Sequence, residues 1–153
     1  SYEPDAELTS VKNVSLAEEF LADHFPEFPV LPGVFMIEAA TQSAAWLVRL
    51  SEDFAHSIVT LSETRSVRFV DFVQPGKSLK MSVQQTKRDG PTVQFKFRGE
   101  IDEQLCVAGR LSLSCSNLAD DDACQEPLDR RMISLQRAEA GLLLRELHGA
   151  GAG

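Results

Sequence analysis

No apolar run in this chain of 153 residues approaches the roughly 20 residues needed to cross a bilayer core, so no helical membrane span is expected. The N-terminal stretch SYEPDAELTS also lacks the basic-then-apolar profile of a secretory signal, although Ser1 in place of Met suggests processing or trimming upstream. Cysteine is scarce and odd in number: Cys106, Cys115 and Cys124 show no metal-type pairing. They read as reduced thiols of a cytoplasmic protein. There is no Gly-rich phosphate loop and no convincing cluster of metal ligands, so neither a nucleotide nor a metal cofactor is expected. Positive charge is short as well. Fifteen Lys and Arg face 23 Asp and Glu, and the net charge of −8 argues against nucleic acid, whose phosphates demand clustered cations.

What remains is an ordinary globular composition, 43% apolar and 25% charged, at a length that suits one domain with a sizeable core. The charge is unevenly spread. Residues 1–63 hold eleven acids against Lys12 and Arg49, a balance of −9. Residues 64–99 hold Arg65, Arg68, Lys77, Lys80, Lys87, Arg88, Lys96 and Arg98 against Asp71 and Asp89, a balance of +6. Such a basic stretch is either the solvent-facing side of alternating strands or a docking surface for an anionic partner.

Hydrophobic periodicity divides the chain. Segment 8–14 is a weak strand candidate, and 15–22 suits a helical turn with Ser15 and Glu18 placed as a capping box. Pro26, Pro29 and Pro32 then hold the chain extended. From Gly33 to about Leu50 nothing breaks a helix, and Val34, Ile37, Thr41, Ala44, Ala45 and Val48 recur at helical spacing. Beyond it the period becomes two, over 65–72, 79–86, 92–101 and 105–115, with Pro75-Gly76 and Asp89-Gly90 as turns. One apolar helix and several one-sided strands imply an α+β fold, the helix packed on an antiparallel sheet. Residues 116–129 form an acidic linker, 130–148 a second helix in which Gly141 costs about 1 kcal/mol relative to Ala, and 149–153 a disordered tail. That second helix is expected to pack on the domain or on a neighbouring subunit.

The stretch HFPEFPVLPGVFMIEAATQ, from His24 to Gln42, carries the chemistry. His24 opens the proline-rich loop and Glu38 interrupts the apolar helix. Imidazole titrates near neutral pH and makes His24 a natural general base. Burial of Glu38 would favour its protonated form and make it a proton donor. Gln42, four residues on, shares the helix face of Glu38 and is placed to orient it. Pro32 and Gly33 set a helix N-terminus whose free N–H groups suit an oxygen gaining negative charge. Each feature has a plainer reading: His24 as a structural loop residue, Pro32-Gly33 as a simple helix start, Glu38 as an ion-paired core residue. His56 and His148 have no motif around them and are expected at the surface.

Taken together, His24, Phe25, Pro26, Pro29, Pro32, Gly33, Val34, Glu38, Ala39 and Gln42 resemble the signature of FabZ-type 3-hydroxyacyl-[acyl carrier protein] dehydratases. The likeness extends over about residues 9–115. It implies a hot-dog fold, one long central helix wrapped by a curved antiparallel sheet, with the C-terminal helix as an addition. The implied reaction is elimination of water from 3-hydroxyacyl thioesters in fatty-acid or related lipid synthesis, without a cofactor. In it His24 removes the C2 proton, the Gly33 N–H holds the thioester carbonyl, and Glu38 protonates the departing hydroxyl. Gln42, Phe25 and Pro32 support them. The family implies that His24 of one subunit works with Glu38 of the other, in a homodimer or a larger assembly. An acyl carrier protein is the implied partner, with the eight cations of residues 64–99 as a candidate docking surface.

The chain departs from the pattern in three places. Asp23 replaces the usual glycine before the histidine, and Glu27-Phe28 replaces a Gly-Arg pair. The family's first strand has no counterpart upstream. Hot-dog thioesterases, which also use a carboxylate on the central helix, and non-catalytic acyl-binding subunits are the alternatives. The His-Phe-Pro loop disfavours the first and retention of both His24 and Glu38 the second. FabA-type isomerising enzymes carry Asp where this chain has Glu38.

Overall fold

The computed structural model describes residues 1–13 and 33–149. The capping box at Ser15 and the proline loop from His24 to Pro32 lie outside the described residues, as does the tail from 150 onward. Six strands form one antiparallel sheet in the order β1-β2-β4-β5-β6-β3: β1 Tyr2–Glu3, β2 Glu7–Asn13, β3 Ile58–Phe69, β4 Ser78–Asp89, β5 Thr92–Ile101 and β6 Gln104–Ser116. Helix α1, Gly33–Ser51, packs on one face of this sheet, and helix α2, Glu126–Gly149, closes the described chain. This is the hot-dog arrangement of helix on curved sheet.

Period-two patterning explains the central strands. In β5, Val93, Phe95 and Phe97 are buried against α1 while Gln94, Lys96 and Arg98 are exposed. Leu111, Leu113 and Cys115 of β6 and Leu79, Met81 and Val83 of β4 continue the same apolar layer. Helix α1 meets it with Met36, Ala40, Ala44, Leu47 and Val48. The small residues let backbones approach closely, a need that Gly99 shows in the sheet. A Cβ there would lie 2.7 Å from Val107 Cγ1, and the β5–β6 ladder slips register between Gly99 and Glu100. Two-residue turns join the strands at Gly90-Pro91, and at Asp102-Glu103 with positive φ at both positions, the twist-matched hairpin geometry.

Four boundaries differ from the sequence reading. Strand β3 begins at Ile58, seven residues before the expected 65, and ends at Phe69 rather than 72. Residues 60–66 are all exposed, so no apolar alternation announces this edge strand. The missing upstream strand is replaced by Tyr2–Glu3, which hairpins onto β2 and ends the sheet at its other edge. Helix α2 starts at Glu126, four residues early, with Pro127 in its first turn, where a missing N–H costs nothing. The acidic linker is folded too, into 3₁₀ turns at Leu118–Asp120 and Ala123–Gln125.

Asp129 explains the last two points. It is 4% exposed and accepts hydrogen bonds from the Ser57 hydroxyl and from the backbone N–H groups of Leu118 and Ala119, both at 2.9 Å. Burial works against its charge, but the three donors prevail and hold its carboxyl below the usual carboxylate range. Gln136 Nε2 donates to the Ser57 carbonyl at 2.9 Å, and Arg137 reaches Asp53 Oδ1 at 2.9 Å while lying over the Phe54 ring. Together these fasten α2 to the turn that follows α1.

Candidate active site

Helix α1 opens at Gly33, so its first turn presents N–H groups for which the helix itself holds no acceptor. No acidic side chain stands in that turn to compete for them. Phe69, the last residue of β3, closes over Gly33: a Cβ on Gly33 would lie 2.8 Å from the Phe69 ring. A side chain at this position would require the Phe69 ring to shift.

About one and a half turns along, Glu38 Oε1 accepts a hydrogen bond of 2.8 Å from Gln42 Nε2. The expected pairing of Glu38 with Gln42 is thus present. The expected burial is not. Both side chains are exposed on the protomer, in line with Val34 at 66% exposure, on the face of α1 turned away from the sheet. The buried stripe runs instead through Met36, Ala40, Ser43 and Leu47, because the sheet covers only one side of the helix. Near the helix start, Phe69, Val70 and Phe72 are between 51% and 64% exposed. Exposed large apolar side chains such as these are candidates for a contact surface. His24, Phe25 and Pro32 lie outside the described residues, so of the expected site Gly33, Glu38 and Gln42 are placed.

The expected basic surface divides. Lys77 pairs with Asp102 at 3.0 Å, Arg65 with Glu63 at 2.9 Å, and Arg88 with Glu52. Arg98 pairs with Glu100 at 2.5 Å and, with Arg68, Lys96 and Arg110, the last outside the charge count over residues 64–99, lines one cavity of about 670 Å³. Strand register makes this group compact: Lys96 faces Arg110 across β5–β6, and Arg110 faces Arg65 across β6–β3.

His56 is half-buried rather than at the surface, with Nδ1 3.1 Å from Glu52 Oε2. Donor atoms of Glu52, His56 and Cys115 lie within 4.8 Å of one another. The guanidinium of Arg88 already neutralises Glu52, and burial pushes the Cys115 thiol up, so the group reads as an ion-pair network beside a protonated thiol. All three cysteines are free thiols, Cys106 and Cys115 buried and Cys124 exposed. Among the described residues no helix is long and apolar enough to cross a membrane.

With this geometry in view, comparison with known proteins is informative. The profile of the family described as ApeI-like, ApeI dehydratase, matches residues 2–110. The 3-hydroxyacyl-[acyl-carrier-protein] dehydratase FabZ of Streptococcus pyogenes serotype M3 is 34% identical over 111 residues, covering 72% of this chain and 80% of that protein. Among solved structures, the dehydratase heterocomplex ApeI:P from Xenorhabdus doucetiae superposes with a TM-score of 0.61 at 22% identity, over 80% of this chain and 83% of that one. A thioesterase superfamily member from Thermus thermophilus superposes with a TM-score of 0.61 at 16% identity, over 86% of this chain and 96% of that one. At such identities the structural likenesses establish the hot-dog fold alone.

Proposed function

Since the chain belongs to the ApeI-like dehydratase family, we propose that it eliminates water from 3-hydroxyacyl thioesters to give trans-2-enoyl thioesters. The observation that carries this reading is the Glu38–Gln42 pair, about one and a half turns from the start of α1 at Gly33, on the helix face that carries exposed Val34. His24 takes the C2 proton as general base. The charge that develops on the thioester oxygen is held by the Gly33 N–H and the positive end of α1. The C3–O bond then breaks, Glu38 protonates the hydroxyl, and water leaves. His24 ends protonated and Glu38 ionised, so one net proton transfer resets the pair.

Exposure of Glu38 on the protomer supports a site completed by a second protomer. The outer edge of β3, the exposed face of α1 and the Phe69, Val70 and Phe72 patch are the surfaces a homodimer would cover. Covering them would supply the low-dielectric surroundings that an acid at position 38 requires. An acyl carrier protein is the proposed substrate carrier, docking its acidic surface on Arg68, Lys96, Arg98 and Arg110, with Arg65 beside them. Free thiols throughout support a reducing, cytoplasmic setting.

The test is turnover of a 3-hydroxyacyl or trans-2-enoyl thioester, followed by enoyl absorbance. His24→Ala and Glu38→Gln should each lower kcat by about 10²–10⁴-fold, the usual worth of general acid–base groups. Activity that survives both substitutions removes the assigned roles, and release of free thiol would make the enzyme a hydrolase.

A further inference from the structure

Helix α2 lies beyond the stretch matched by the dehydratase family, and its outer face has an order that the domain does not use. Asp129, Gln136 and Ala140 turn inward. On another face Leu128, Leu135 and Leu142 repeat every seven residues and are 45%, 64% and 65% exposed. Seven residues are nearly two turns, so the three leucines form one ridge about 21 Å long. Exposed Arg131 and Glu139 flank it, one on each side of Leu135.

We propose that this ridge is a self-association seam, occupied by α2 of a second copy of the chain lying antiparallel across a two-fold axis at Leu135. The pattern reads the same from both ends about that residue. Leu128 then meets the partner's Leu142, Leu135 meets the partner's Leu135, and Arg131 meets the partner's Glu139. Met132 falls against the partner's Ala138, large against small. An isologous contact demands this self-complementarity: whatever one patch offers, the same patch must accept. A parallel pair would oppose Arg131 to the partner's Arg131 and Glu139 to the partner's Glu139, which like-charge repulsion disfavours. Antiparallel packing also sets opposite helix dipole ends side by side. Glu139 additionally lies in the field of Arg49, so its charge is not isolated on its own protomer. The seam lies on α2 and not on β3, so one contact does not require the other.

The full-length chain provides the test, by sedimentation and light scattering at fixed concentration. Arg131→Glu should lower the assembly mass by setting two acids against each other, with helix content by circular dichroism unchanged. Adding Glu139→Arg to that variant should restore the mass. Independently, Leu135→Cys in a Cys124→Ser background should form a covalent pair on mild oxidation, since only the residue on the axis meets its own copy. An unchanged mass in Arg131→Glu, or no cross-link in the Leu135→Cys variant, would overturn the proposal. A seam occupied by a different protein would give both of those results.

Discussion

On the proposed mechanism Gly33 meets two demands in one residue: its N–H receives the thioester oxygen, and its α-carbon lies under the Phe69 ring. Gly33→Ala tests the two together. The ring is the far end of a half-exposed side chain and has room to move, so the melting temperature should shift little. The displaced ring and new methyl would intrude where substrate lies, and kcat/KM should fall by about tenfold or more, a loss of roughly 1.4 kcal/mol in transition-state binding. A melting temperature that drops sharply while activity per folded molecule holds would make Gly33 a packing residue only. Glu38 shows how far single residues were legible. Its spacing to Gln42 follows from helical geometry and is met at 2.8 Å. Its exposure was not legible, because apolar neighbours in sequence say nothing about which side of α1 the sheet covers.

Among the elements, the strands were most readable where one side is wet and the other packed. Strands β4, β5 and β6 keep that alternation, and they appear within three residues of their expected bounds. Strand β3 does not. Its edge position leaves 60–66 exposed, with register breaks at Leu61/Glu63 and Arg65/Arg68, so hydrophobic spacing could not mark where it starts. Helix α2 was half-read: its apolar residues were seen, while the acids ahead of it passed for a linker. Pro127 in its first turn and acids at Glu126 and Asp129 were the available signal for an earlier start. Asp129 is the consequential one, a buried carboxylate stabilised by three donors. Its carboxyl is depressed in the folded state, so its contribution to stability is present above the unfolded carboxylate range and is lost as pH falls through the folded value. Asp129→Asn should lower the melting temperature at neutral pH, and the deficit against wild type should shrink on acidification. A deficit constant with pH would rule out charge as the source of the anchoring.

For the whole molecule, the acidic total conceals a basic region. Lys96 and Arg110 stand directly opposite one another on β5 and β6, a like-charge pair that the proposed anionic partner would relieve. Replacing Lys96 and Arg98 with Glu should raise KM for a carrier-protein-linked substrate by about tenfold, with the effect fading at high salt. A short pantetheine-type thioester should be turned over as before. Equal losses on both substrates would place the cations in the structure or the site rather than in docking.

Strand β3 carries a consequence for the life of the chain before assembly. Twelve residues long and bordered by bare Phe69, Val70 and Phe72, it offers backbone hydrogen-bonding groups to any strand that meets it. On the proposed pairing of protomers, a newly synthesised copy is therefore hazardous until this edge is covered. Substitutions that slow this pairing should show as precipitation before they show as lost catalysis.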